Sequence, residues 1–188
     1  MIRIFVALIF SILAFGSMPA RAADDALSAT ANRTFLAANA HKPGVKTRPS
    51  GLQYRVLRNG FGPHPTAADT VQINYSAHLI NAKLVDTASA DLPAMMLVNN
   101  VLRGLNEALQ LMQTGDHWEL VIPSDLAFGG KGTSDGNVPP GQTLVFDITL
   151  MSVIPAQVAQ GQARGGVSLY GRERGVSHEA GAMFTIPQ

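Results

Sequence analysis

The chain has 188 residues, 46% apolar and only 14% charged, and no cysteine. The missing thiols exclude a disulfide scaffold, a thiolate nucleophile, a cysteine-ligated metal and a lipid anchor on cysteine, so the core must hold by packing. Fourteen Lys and Arg face thirteen Asp and Glu, scattered along the chain. No basic stripe is left to neutralise phosphates, which argues against nucleic acid as a partner.

In chain order, Arg3 precedes the apolar run 4–15, and Ala20-Arg21-Ala22 supplies a small-x-small pattern. This is the order of a secretory signal over 1–22, with cleavage expected between Ala22 and Ala23. An apolar run of about 12 residues is too short to span a bilayer, which needs roughly 20. The periplasm is the expected destination for a bacterial protein. A eukaryotic secreted chain stays open, since the sequons Asn32-Arg33-Thr34 and Asn74-Tyr75-Ser76 occur. Loss of Arg3 and Arg21 would leave 12 basic against 13 acidic side chains.

Residues 28–40 are alanine-rich and helical in pattern, with Phe35 and Leu36 their only large apolar groups. About a dozen residues form a marginal helix unless docked. Pro43-Gly44 ends it, and 42–50 reads as linker, so 23–50 is a short helical leader. A block from 51 to 154 follows. Leu52, Tyr54 and Val56 alternate with Gln53 and Arg55, giving a half-buried strand that ends at Asn59-Gly60. Residues 70–80 carry Val71, Ile73, Tyr75, Ala77 and Leu79 on one face, the cleanest period-two signal in the chain. Leu84-Val85-Asp86 reads as a short strand, Trp118, Leu120 and Ile122 as one face of another, and 144–154 as the last. Between them Val101, Leu102, Leu105, Ala108, Leu109 and Met112 recur at helical spacing, with Asn99 or Asn100 as expected cap and Gly115 after the end. A sheet and one amphipathic helix, each with a face to bury, make a two-layer α+β domain. Residues 155–188 are Gly-rich with few large apolar groups and read as a disordered tail.

The segment Gly51-Leu52-Gln53-Tyr54-Arg55-Val56-Leu57 resembles the opening strand of bacterial FKBP-type peptidyl-prolyl cis-trans isomerases. Asp69-Thr70-Val71 through Tyr75 is similar to their second strand, Val85-Asp86 to their Phe-Asp pair, and 104–112 to their helix. Trp118-Glu119-Leu120-Val121-Ile122-Pro123 resembles the next strand. Val138-Pro139-Pro140-Gly141-Gln142-Thr143-Leu144-Val145-Phe146-Asp147 resembles the hairpin tip and final strand. These blocks keep family order, and 35–50 is similar to the leader of longer Mip-like members without their long dimerising arm.

The resemblance implies an antiparallel half-barrel sheet wrapped on the helix, with a shallow apolar pocket between them. It implies an isomerase acting on prolyl-containing polypeptides or unfolded exported proteins, with no cofactor or metal, and a monomer as default. Carried over by position, the pocket is lined by Tyr75, Val85, Asp86, Met96, Val101, Leu102, Leu105, Phe128, Val138 and Phe146. Tyr75 and Phe146 are expected as aromatic walls. The Leu102 backbone N–H is expected to bond the substrate carbonyl, and Asp86 to orient Tyr75 or polarise the site. Val138 is expected on a covering loop that selects the residue before proline. The family's large aromatics are replaced by Val85 and Met96, its tryptophan floor by Leu105, and a loop tyrosine by Phe128. These changes leave the site apolar but less rigid and less aromatic, so reduced turnover is expected.

Blander readings stand beside these. Trp118 fits a core position on its strand better than a pocket, Met96 and Leu105 could be ordinary core, and Asp86 could cap a turn. Gly129-Gly130-Lys131-Gly132-Thr133 lacks the spacing of a phosphate loop and reads as the flexible loop after Phe128. His41, His64, His78, His117 and His178 show no metal-ligand spacing, and Ser124-Asp125 forms no nucleophile elbow. Two other functions compete: a substrate-holding chaperone that kept the fold while its site decayed, and a structural domain using its tail to engage a partner.

Overall fold

Over residues 26–156, the span that the computed structural model describes, the chain runs α1 (Ala29–Ala40), β1 (Val45–Thr47), β2 (Gln53–Arg58), β3 (Thr70–Leu79), β4 (Leu84–Ala88) and β5 (Ala94–Leu97). It continues through α2 (Arg103–Leu111), β6 (His117–Ile122) and β7 (Leu144–Ile154). The expected signal over 1–22 lies outside the described residues, as does the tail beyond Ala156. Among the described residues no helix is long and apolar enough to cross a membrane.

All strand pairings are antiparallel, in the order β1-β2-β6-β7-β3, with β4 and β5 sharing the far side of β3. The alternation read from 70–80 is realised: Val71, Ile73, Tyr75, Ala77 and Leu79 are buried and the residues between them are half-exposed. Strand β7 answers with Leu144, Phe146, Ile148 and Leu150, all at 0% exposure. The β3–β7 ladder runs from Leu79 opposite Leu144 to Thr70 opposite Ile154, broken by one bulge between Gln72 and Ile73. Its buried side chains join those of α2 in one cluster. Full burial of each large apolar side chain contributes on the order of 1.5–3 kcal/mol.

Helix α2 buries Leu105, Ala108 and Leu109, with Met112 just past its end. Its close seat on β6 needs Gly104, because a Cβ there would stand 2.5 Å from Ile122 Cγ2. The expected cap is corrected. Val101 and Leu102 are extended, so Leu102 becomes the N-cap and no side chain caps the helix, while Asn99 and Asn100 lie in a 3₁₀ turn (Val98–Asn100). Asn106 of α2 instead reaches back and donates to the Val98 carbonyl at 2.7 Å.

Helix α1 begins at Ser28, whose Oγ accepts from the Ala31 N–H at 3.1 Å. Its buried side chains are Asn32 and Asn39, whereas Phe35 and Leu36 are only half-buried. Asn39 Nδ2 donates to Gln53 Oε1 at 2.9 Å, and Gln53 Nε2 donates to the Leu36 carbonyl at 3.0 Å. Gln53, placed by pattern on a polar face, is therefore 5% exposed. Its cross-strand partner Val121 is buried too, yet lies outside the main cluster. α1 thus covers the sheet on the side away from α2, adding a layer to the two expected. Residues Val45–Thr47, read as linker, pair with β2. Trp118 is a core residue, stacked on Tyr54 at 4.6 Å between centroids.

Candidate active site

Every residue singled out for the site comes from an element meeting the sheet's inner face. Tyr75 lies on β3, Val85 and Asp86 on β4, Met96 on β5 and Phe146 on β7. Val101 and Leu102 lead into α2, Leu105 sits in its first turn, and Phe128 and Val138 lie on the loop between β6 and β7. Tyr75, Met96, Val101, Leu102, Leu105, Val138 and Phe146 belong to the buried cluster, with Val85 and Phe128 packed against it. Asp86, half-buried, joins Tyr75 through a hydrogen bond.

The Tyr75 and Phe146 rings are tilted at 42° with centroids 5.9 Å apart. Tyr75 Oη donates to Asp86 Oδ2 at 2.6 Å, while Asp86 Oδ1 accepts its neighbour Thr87's N–H at 2.8 Å. Thr87 Oγ1 closes the link by donating to the Tyr75 carbonyl at 3.0 Å. Burial, and after it the bond to Asp86, pushes the Tyr75 hydroxyl far above the ordinary tyrosine range, so the ring stays neutral. Leu102 at the N-cap has one of the backbone N–H groups that a helix leaves without an intrahelical acceptor. Beside Val101 an open hollow of about 400 Å³ is rimmed by Asn99, Arg103, Asn106 and Leu126.

The loop between β6 and β7 is tied together by its own hydrogen bonds. Thr133 N–H donates to the Val138 carbonyl at 2.9 Å, and Val138 N–H donates to Thr133 Oγ1 at 3.0 Å. Asp135 accepts from Thr133 Oγ1 at 2.6 Å and from the Asn137 N–H at 3.0 Å, which holds its carboxyl below the usual carboxylate range. Gly132 has φ +68°, and a Cβ there would stand 2.3 Å from the Val138 oxygen. These polar residues were missed at the sequence level. The Thr133-Ser134-Asp135-Gly136-Asn137 run, rich in turn formers, was the available signal.

An open antiparallel sheet is thus closed by one helix over an apolar cluster, with a tyrosine–aspartate pair at its rim and, among the described residues, no cluster of metal-ligating side chains. Comparison with known proteins agrees. The family model described as FKBP-type peptidyl-prolyl cis-trans isomerase matches residues 62–151. The model of the domain amino-terminal to that isomerase matches residues 14–56. The chain is 44% identical over 120 residues to the outer membrane protein MIP of Legionella longbeachae, covering 63% of this chain and 51% of that protein. It is 41% identical over 121 residues to the FKBP-type 22 kDa peptidyl-prolyl cis-trans isomerase of Escherichia coli, covering 64% and 58%. The crystal structure of a peptidyl-prolyl cis-trans isomerase from Pseudomonas syringae pv. tomato superposes with a TM-score of 0.64 at 38% identity, covering 73% of this chain and 97% of that one. FkpA from Escherichia coli gives 0.64 at 36% identity, covering 68% and 59%. The chain belongs to the FKBP-type peptidyl-prolyl cis-trans isomerase family. It spans about half the length of the curated relatives it matches.

Proposed function

We propose that this protein turns prolyl peptide bonds in exported polypeptides and so assists their folding. The bond is a partial double bond with a barrier of roughly 18–20 kcal/mol. At the top of the barrier the amide is twisted and has lost its conjugation, and with it much of its charge separation. A water-poor apolar site therefore favours the twisted form over the planar one, which is catalysis by differential binding. Tyr75 and Phe146 flank the prolyl ring, Val85, Met96, Val101 and Leu105 line it, and Phe128 and Val138 cover it. The Leu102 N–H donates to the substrate carbonyl. Asp86 orients Tyr75; with both carboxylate oxygens already accepting bonds, it is not cast as a base.

The observation that carries this reading is the meeting of Tyr75, Phe146, Leu102 and Leu105 in one buried cluster, with half-buried Asp86 bonded to the Tyr75 hydroxyl. A protease-coupled assay on prolyl tetrapeptides tests it: wild type accelerates isomerisation, and Tyr75→Ala and Asp86→Leu both reduce kcat/KM. A wild-type rate equal to the uncatalysed one would overturn it. Val85, Met96, Leu105 and Phe128, which replace aromatic or hydroxyl-bearing side chains of the family pattern, favour a second reading, a weakly active substrate-binding chaperone. Suppression of aggregation by a variant lacking turnover would support that reading.

The periplasm is the proposed location. Support comes from the sequence pattern of 1–22 and from the name of the relative called an outer membrane protein. A monomer is proposed because α1 spends its buried asparagines on its own domain. Residues 51–154 are the proposed isomerase domain, with 23–50 as its leader and 155–188 as its tail.

A further inference from the structure

The loop carrying Val138 narrows to a neck where the Gly141 N–H donates to the Gly129 carbonyl at 2.9 Å. The next two residues, Gln142 and Thr143, are 4% and 1% exposed and grip α1. Asn32 Oδ1 accepts from the Thr143 N–H at 2.8 Å, and Asn32 Nδ2 donates to Gln142 Oε1 at 3.1 Å. The same Nδ2 reaches the Leu27 and Ser28 carbonyls at 3.2 and 3.1 Å. Gln142 Nε2 in turn donates to the Leu27 carbonyl at 2.9 Å and back to the Pro140 carbonyl at 3.1 Å. One buried side chain on α1 is thus bonded to the base of the covering loop across 110 positions of sequence.

We infer that Asn32 is a positioning residue for the substrate-covering loop. By holding Gln142 and Thr143, α1 fixes the neck of the loop and keeps Val138 closed on the apolar cluster. This rests on the isomerase reading for its effect on selectivity, but not for its effect on the loop. Helix docking alone does not require the arrangement, because Asn39 makes a second buried amide pair on the same helix, to Gln53 of β2. That second pair lies away from the loop and serves as the control. Without Asn32, the Thr143 N–H and Gln142 Oε1 lose a buried partner and recover one only by opening to water.

The test compares Asn32→Ala with Asn39→Ala in the full chain. Hydrogen exchange at the Val138, Gly141 and Thr143 amides should quicken by roughly tenfold in Asn32→Ala, the effect of losing about one hydrogen bond. Exchange in β3 should change no more than in Asn39→Ala, and Asn39→Ala should leave the loop amides where wild type has them. In the tetrapeptide assay, the spread of kcat/KM across substrates differing in the residue before proline should narrow in Asn32→Ala alone. If Asn32→Ala does not fold, Gln142→Ala removes the side-chain half of the clamp while Thr143 stays bonded to Asn32, and it must quicken exchange at Gly141 and Val138. Equal exchange in the loop for both asparagine variants, or unchanged loop exchange in Asn32→Ala, overturns the inference. A wild type without turnover would instead count against the isomerase reading, and the exchange result would still decide the clamp.

Discussion

Replacing Tyr75 by Phe removes one oxygen from the site and leaves its apolar surface in place. The ring is 4% exposed and keeps its position beside Phe146, so the burial contribution is unchanged. What is lost is the bond at 2.6 Å to Asp86 Oδ2. A hydrogen bond to a charged partner contributes about 1.5–3 kcal/mol. Asp86 is only half-buried and keeps the Thr87 N–H on its other oxygen, so water can replace the phenol there. The loss should therefore fall at or just below the bottom of that range, about 1–1.5 kcal/mol in urea unfolding. A double-mutant cycle with Asp86→Ala should return a coupling of about 1 kcal/mol. No proton moves in the proposed mechanism, so Tyr75→Phe should keep kcat/KM within about tenfold of wild type, a transition-state cost of at most about 1.4 kcal/mol. Tyr75→Ala should lose more. The pH dependence follows from the raised pKa of Tyr75: its stabilising effect is complete below the unfolded tyrosine value of about 10 and is lost as pH climbs toward the higher folded value. Wild type should therefore weaken above about pH 10 more steeply than Tyr75→Phe. A coupling energy near zero would refute the orienting role of Asp86. A Tyr75→Phe enzyme as slow as Tyr75→Ala would refute catalysis without the hydroxyl.

Two further outcomes follow from the packing and the charges. Gly104→Ala gains roughly 1 kcal/mol of helix propensity but drives a methyl against Ile122, where overpacking costs about 1–3 kcal/mol. Net destabilisation by about 1 kcal/mol is expected in urea unfolding, with reduced kcat/KM because the displaced turn carries Leu102 and Leu105; a stabilised variant would show that α2 shifts freely. Asp69 accepts the Thr66 N–H and hydroxyl and the Ala156 N–H, and the Thr66 amide is the main cause of its lowered pKa. Its contribution is present above the unfolded value of about 3.9 and is lost as pH falls through the lower folded value. Thermal unfolding between pH 5 and pH 2 should accordingly show a shallower acid loss in Asp69→Asn than in wild type, and identical slopes would exclude the effect.

Most of the fold was legible because its signals are local. Alternation in 70–80 and helical spacing in 101–112 each report which face of one element is apolar. Burial of Leu105 and Ile73 follows from that. The ten candidate site residues came from ordered family blocks, and their elements include β3, β4, β7 and the start of α2. The start of α2 was misplaced because Asn99 and Asn100 are good capping residues by type, while Val101 and Leu102 hold an extended backbone that puts the cap later.

By itself, then, the amino-acid order determined the α+β class, the inward face of β3, the apolar stripe of α2 and the family. Only the tertiary structure decided that α1 docks through Asn32 and Asn39, that Gln53 is buried, and that the covering loop is anchored from the leader helix. The reason is physical. An amide side chain reads as solvent-facing until its partner is known, and the partners of Asn32 stand more than a hundred residues away, where no local period can register them.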